Sequence, residues 1–419
     1  VQTCALPISH STLFDVERLK DASNRYFADI QLKYNDVLLK SPKLITKQSD
    51  LPDSEDFKIC ISRIIKTLDK LQISVEQSID NISESDYEKS NADDIYKTSS
   101  EGVESADDKI KGLLGPIKGL RKTCENIINM ITNVNSILAD DNLVMYVENR
   151  KNRTILGVKD VNVSNKFKKY FLKYEDVTCI LASATISVNG SFYYLKRKLG
   201  LNQIKHRVME YIGVSPFDLK HQELWYIPQD ALPGNDKNFD AQVPRQIEEI
   251  IKATNGGALC LFTSNRNLQN CKERLSKTIP EFKILSQGDK SRAKLLDEFR
   301  GDFNASLLAT KSFFTGVDIQ GQSLRCVIID KLPFSTPSDP VHQRLSSRKG
   351  YFRDYILPEM IIAFKQAVGR GVRSVDDKCI ICVLDERIMT ANYAGGILGS
   401  FDYEKMLTKN VETFPIYLK

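Results

Sequence analysis

Apolar residues recur at alternating spacings of four and three through Phe57, Ile61, Ile64, Leu68, Leu71 and Val75. The same spacing runs through Ile110, Leu113, Ile117, Leu120, Cys124, Ile127, Ile131, Val134 and Leu138. On a helix this spacing lays one narrow apolar stripe along one face, so residues 9–141 are expected to form long helices that bury their seams against one another. The polar stretch from Ser83 to Asp108 would join two antiparallel helices. Taken alone, this region is a helical hairpin or coiled coil and carries no chemistry.

After Asp141 the pattern changes to short β-rich runs alternating with helical segments. The expected strands are Val144–Val147, Cys179–Ala182, Ala258–Thr263, Ser306–Thr310, Cys326–Ile329 and Cys379–Leu384. The expected helices are Val243–Ala253, Asn265–Lys277, Lys290–Arg300 and Pro358–Val372. Strands and helices alternating in this way predict an α/β fold with a parallel sheet, whose functional residues gather at the carboxyl ends of the strands.

With 419 residues, 42% hydrophobic and 27% charged, the chain has the length of two or three domains and can bury a core. No apolar run is long enough to span a bilayer as a helix. The net charge of +5 conceals an asymmetry: residues 1–150 carry 19 Lys and Arg against 25 Asp and Glu, the remainder 40 against 29. A basic C-terminal part suits a polyanion such as nucleic acid, and equally suits a lysine-rich soluble surface. Nine scattered cysteines form no dense disulfide framework, which points to a reducing cytoplasm. Cys379 and Cys382 stand three apart in the apolar run CIICVL; on a strand they face opposite ways and cannot share a metal.

The first eight residues, VQTCALPI, back-translate into a sequence resembling the 3′ end of a widely used short-read sequencing adapter. Residues 1–8 are therefore set aside as an artefact, and the reading frame is expected to be cut on its N-terminal side.

Four stretches carry candidate chemistry. CILASATIS, Cys179–Ser187, delivers Ser183 and Thr185 into a turn, either as a cap or as a link between a nucleotide pocket and a second site. ALCLFTS, Ala258–Ser264, ends in Thr263 and Ser264, which suit a nucleic-acid phosphate or simple N-capping. In LLATKSFFTGVDIQG, Leu307–Gly321, a strand ends at Thr310, Gly316 permits close backbone approach, and Asp318 can accept from a ribose or orient an arginine. Gln366-Ala367-Val368-Gly369-Arg370-Gly371-Val372-Arg373 ends an apolar helix. Arg370 and Arg373, three apart, lie on one helical face, and Gln366 is one turn before Arg370. Two guanidiniums and an amide fit a transferring phosphoryl group, or else complement the helix dipole.

In this order, S-A-T, L-F-T-S, T-G-V-D and Q-x-x-G-R-x-x-R on one strand–helix scaffold resemble the superfamily 2 helicases. The likeness is to the DinG branch related to XPD, and includes SPFD at Ser215–Asp218, D-K-L-P-F with P-x-D-P at Asp330–Pro340, and QAVGRGVR. It covers 142–390.

The resemblance implies a RecA-like parallel-sheet motor domain with an inserted all-helical arch. Residues 9–141 would be the arch-like insertion, 142–215 the C-terminal part of a first motor domain, and 216–419 the second. It also implies an ATP-driven helicase moving 5′ to 3′ on single-stranded or forked DNA, with ATP and Mg²⁺ as cofactors. Arg370 and Arg373 would be arginine fingers with Gln366 beside them, and Gly316, Asp318 and Gly369 would lie on the nucleotide side. Thr263, Ser264 and Thr310 would lie near the DNA backbone, and Ser183 and Thr185 in the coupling motif.

Two positions depart from the family pattern: Thr315 where Glu is common, and Gly371 where a bulky aliphatic is common. The second would place a flexible residue inside the finger helix, at about 1 kcal/mol relative to Ala. No G-x-x-x-x-G-K-[ST] loop and no D-E-A-H box occur, and Leu384-Asp385-Glu386-Arg387 reads as a strand end. In the family both elements, and the cysteines of any iron–sulfur cluster, precede the arch. The expectation is therefore a C-terminal helicase fragment inactive by itself. The alternative is a non-catalytic, helicase-derived nucleic-acid-binding or scaffold protein.

Overall fold

The computed structural model describes residues 10–34, 42–89, 106–150, 153–173, 177–313 and 323–419. The chain divides into two compact units, one of residues 1–161 with 337–345, the other of 162–336 with 346–419. The sequence pattern changes at Asp141, but the first unit runs on through a strand pair before it ends.

In the first unit the two seam-bearing stretches form the helices Glu55–Lys89 and Ala106–Thr132, the second continued beyond Asn133 by Val134–Ala139. They run antiparallel: Arg121 pairs with Asp69, and Lys118 with Glu76, so the numbering descends along one helix as it rises along the other. Ile61, Ile64, Leu68 and Val75 meet Ile117, Cys124 and Ile131 in one buried cluster, joined by Tyr26 and Ile30 of the helix His10–Tyr34. The unit is not purely helical. Strands β1 (Lys43–Leu44), β2 (Leu143–Arg150) and β3 (Arg153–Asp160) form an antiparallel sheet in that order. The expected strand Val144–Val147 therefore belongs to a hairpin and not to the parallel sheet. Residues 337–345 join this unit: Asp339 pairs with Lys159 at 2.9 Å, and the Gln343 amide donates to the Pro42 carbonyl at 3.0 Å.

The second unit is built on seven strands: β4 (Glu223–Tyr226), β5 (Ala258–Phe262), β6 (Ile284–Ser286), β7 (Ser306–Thr310), β8 (Cys326–Ile329), β9 (Cys379–Val383) and β10 (Met406–Thr408). Their order is β10-β4-β9-β8-β5-β7-β6, and every pair is parallel. Nearly every residue of the central strands is buried, as a sheet covered on both faces requires. Period-two alternation sends Leu259, Leu307, Val327 and Ile381 to one core, and Ala258, Cys260, Leu308, Cys326 and Cys382 to the other. Cys379 lies in the first core and Cys382 in the second, facing opposite ways.

The expected strand Cys179–Ala182 does not form; residues 177–183 have no regular structure and Ile180 is 84% exposed. Four apolar residues in a row suit a strand only when a sheet covers both faces, and no described strand pairs with them. The two- and three-residue strands β1, β6 and β10 fall outside the sequence reading because so short a run gives too little periodicity to separate from loop; β4 and the eight-residue hairpin strand β3 are also not among the expected strands.

Glu223 is a buried carboxylate in β4. The Trp225 indole donates to its Oε2 at 3.1 Å, and the Tyr403 hydroxyl donates to the same oxygen. Burial pushes its pKa up from 4.5 to about 7, against the lowering pull of those donors and Lys405. In the unfolded chain the group ionises near 4.5, so the folded state binds the proton more tightly across roughly pH 4.5 to 7. The stability it contributes is present below that window and is lost as pH rises through it. The melting temperature should therefore fall between pH 5 and pH 8. A Glu223→Gln variant, whose amide oxygen still accepts both donors, should lessen that fall and gain on the order of 1–3 kcal/mol at pH 8, read by thermal denaturation across pH.

Candidate functional site

Parallel pairing brings the expected DNA-side residues together. Phe262 and Thr310 are register partners at the ends of β5 and β7, so Thr263 and Ser264 emerge beside Thr310 at the carboxyl edge. Ser264 caps the helix Asn265–Thr278, accepting from the Asn267 amide at 3.2 Å, which is the capping alternative realised. Thr310 donates its backbone N–H and its hydroxyl to Gln287 Oε1 at 2.8 and 3.0 Å. Thr263 donates its N–H to Asp330 Oδ1 at 2.9 Å.

Asp330, at the end of β8, is buried. Burial pushes its pKa up from 3.8 to about 7, opposed by bonds from the Lys331 and Thr263 backbone and from Asn267. Next along the edge, after β9, the buried Asp385 accepts from the backbone of Gly234, Leu332 and Arg387 and pairs with the Arg387 guanidinium at 2.6 Å. Leu384–Arg387 is thus a strand end with a structural ion pair. Gln287 falls outside the sequence reading, and Asp330 enters it only as part of the D-K-L-P-F motif, without a role. The available signal was a polar residue directly following an apolar strand run, at the edge where neighbouring strands also end.

The arginine motif lies elsewhere. The helix carrying Gln366 spans Leu357–Val368 and stops there, with Gly369 as its C-cap. Arg370 N–H donates to Ala367 O at 3.2 Å and Gly371 N–H to Val368 O at 2.9 Å, tightening the chain into a turn. Arg370 and Arg373 therefore stand in the loop leading to the amino end of β9, not on one helical face and not at the carboxyl edge. Gly371 is the reason. It is buried, and a Cβ there would meet Cys379 Sγ at 2.8 Å and Ile381 Cδ1 at 3.1 Å. The glycine is thus outside the helix and lets the loop press against β9, so no helix-propensity cost applies. The Asp377 carboxylate then accepts from the N–H groups of Arg373 and Ser374, both at 2.8 Å. The Gln222 side-chain amide, just before β4, donates to carbonyls of the same loop, with Ser374 O at 2.9 Å and Asp377 O at 3.0 Å.

Two elements of the candidate set converge on the last turn of this helix. The Gln366 amide contacts Thr185 Oγ1 at 3.4 Å, joining the S-A-T segment to the arginine motif. Ser183 Oγ accepts from the Thr185 N–H at 3.3 Å, a hydroxyl-closed turn and not a helix cap. Gly316 and Asp318, with Thr315, lie outside the described residues. Among the described residues no three His, Cys, Asp or Glu side chains gather as metal ligands, and no helix is long and apolar enough to cross a membrane.

Seven parallel strands between two buried layers, with the arginine loop at one edge and hydroxyls at the other, give the second compact unit the architecture of a RecA-like motor domain. Residues 247–403 match the helicase C-terminal domain family. The chain is 34% identical over 252 residues to the ATP-dependent DNA helicase YoaA of Escherichia coli (strain K12), covering 58% of this chain and 38% of that protein. It is 26% identical over 413 residues to the YoaA of Haemophilus influenzae, covering 94% and 62%. It is 30% identical over 293 residues to the 3′-5′ exonuclease DinG of Bacillus subtilis, covering 66% and 31%. An apo XPD structure shares the fold at a TM-score of 0.53 and 16% identity, covering 94% of this chain and 72% of that one. The Xpd4 structure of S. tokodaii does so at 0.51 and 14%, covering 93% and 66%. The helicase C-terminal domain match and the YoaA and DinG likenesses make the chain a relative of the DinG-type helicases, and the XPD structures share its fold. It spans 31% to 62% of the lengths of those three curated relatives.

The Gly371 packing carries its own test. Gly371→Ala should cost about 1–3 kcal/mol through overpacking against Cys379, measured by the denaturant midpoint. Combining it with Cys379→Ala should recover part of that loss, a coupling absent with Cys124→Ala in the other unit.

Proposed function

We propose that this chain is the C-terminal part of an ATP-dependent DNA helicase, translocating 5′ to 3′ on single-stranded DNA. The observation that carries the reading is the contact of Gln366 with Thr185 beside a loop holding Arg370 and Arg373. An amide and two permanent cations are gathered where the S-A-T segment meets the motor helix.

This donor set fits the phosphates of ATP. Guanidiniums pair with phosphate oxygens in a fork and remain charged at any physiological pH. Arg370 and Arg373 would hold the terminal phosphate, Gln366 would lie beside them, and Gly369 would leave room for close approach. Bound ATP, with Mg²⁺, supplies the phosphoryl group whose transfer provides the free energy for movement. The chain's own part is to present fixed positive charge, with Gln222 and Asp377 tying down the loop so that little is reorganised when the phosphate arrives. Thr263, Ser264 and Thr310, at the opposite ends of the strands, would face the sugar-phosphate backbone of DNA.

Two further observations support a protein longer than this chain. The irregular segment 177–183 exposes Ile180 at 84%, and residues 208–215 expose Met209 at 98%, Tyr211 at 85% and Val214 at 95%. Apolar extended runs of this kind are the material of buried parallel strands and fit a sheet supplied by a preceding motor domain. Residues 9–141, with the hairpin after them, would form the arch-like insertion.

The purified 419-residue chain should show no ATP turnover. The complete protein should hydrolyse ATP in a manner stimulated by single-stranded DNA, and Arg370→Ala should lower kcat by roughly 10²–10³-fold, as loss of a phosphate-neutralising donor does. Turnover by the chain alone, or full activity of Arg370→Ala, would contradict the assignment.

A further inference from the structure

The segment carrying Ser183 and Thr185 meets the motor helix directly after the irregular residues 177–183, and contacts on its downstream side tie it to the second unit. Val188-Asn189-Gly190-Ser191 is a tight two-residue turn. Val188 and Ser191 exchange backbone hydrogen bonds at 2.9 and 3.0 Å, and both central residues have positive φ, 49° for Asn189 and 67° for Gly190. Asn-Gly is the pair such a turn favours. The turn is anchored on the second unit: Val188 packs against its core, and the Ser400 hydroxyl lies 2.7 Å from Asn189 Oδ1. Between this anchor and Thr185 the backbone is tied by Lys365 Nζ, which donates to Ser187 O at 3.2 Å. Lys365 immediately precedes Gln366, the contact of Thr185.

We propose that Lys365 is a positioning residue, whose ammonium clasps the Ser187 carbonyl and so keeps Thr185 in register with Gln366. The role rests on the helicase reading, because it assigns Lys365 to the coupling of nucleotide and DNA through the S-A-T segment.

The geometry explains why a cation serves here. Lys365 is half-buried, and burial holds its pKa below the usual lysine value, with Asp402 pulling the other way. A charged donor to a half-buried carbonyl makes a stronger bond than a neutral one. A neutral side chain of the same length would fill the space and leave the Ser187 carbonyl without it. Residues 183–187 would then be held by the turn at one end and by the 3.4 Å contact of Gln366 with Thr185.

Hydrogen–deuterium exchange on the 419-residue chain tests the contact. Lys365→Met should speed exchange at residues 184–188 by roughly tenfold while β5 and β7 keep their protection. Lys365→Arg, which keeps a charged donor, should restore it. In the complete protein Lys365→Met should reduce the stimulation of kcat by single-stranded DNA several-fold, with little change in KM for ATP. Unchanged exchange at 184–188, or equal loosening in the Arg variant, alongside DNA-stimulated turnover in the wild type, would overturn the role of Lys365 and leave the helicase reading standing. No DNA-stimulated turnover in the wild-type complete protein would overturn the helicase reading and the coupling role together.

Discussion

All seven strands of the larger sheet run the same way, and the arrangement of candidate residues follows from that constraint. In a parallel sheet every strand ends on one edge, so residues far apart in sequence that directly follow a strand are brought side by side. Thr263, Thr310, Asp330 and Asp385 are neighbours for this reason. The return helices must run back along the faces, so the residues that end a helix gather at the opposite edge. The loop of Arg370 and Arg373 is there for that reason, with Gln222 beside it. The sheet thereby separates the two groups of candidate residues by the length of a five-residue strand, about 16 Å.

Buried polar groups hold each edge in place. Asp330 and Asp385 are carboxylates with no access to water, kept there because backbone N–H groups and, for Asp385, a guanidinium satisfy them. Gln222 and Asp377 do the same for the arginine loop. Rigid backbone at both edges suits a surface that binds charged, extended ligands without first ordering itself.

How much of this was legible in the sequence depended on the length of each signal. Apolar runs of four or five residues bounded by turn residues marked β5, β7, β8 and β9 to within a residue, and heptad-like spacing marked the two long helices. β6 and β10, three residues each, left no pattern to read. The segment Cys179–Ala182 has the composition of a buried strand, and composition cannot tell whether the neighbouring strands are present. The arginine motif was recognisable as chemistry, yet its geometry was misjudged. A helical pattern through Val372 weighs Gly371 only as a helix-propensity cost, whereas the space of its missing side chain is filled by Cys379, eight residues later. Gln287 and Asp330 carry only the weak local mark of following an apolar run, and, like Lys365, they act through partners that only the fold supplies.

The central claim is that the carboxyl edge of the sheet is a surface for the backbone of single-stranded nucleic acid. It is tested most directly by equilibrium binding of a fluorescent oligothymidylate to the 419-residue chain over a range of salt concentrations. The account predicts that the logarithm of affinity falls linearly with the logarithm of salt concentration. It also predicts that replacing Thr263 and Thr310 together by Val weakens binding several-fold at fixed salt. No binding at low salt, or binding untouched by the paired substitution, would contradict it.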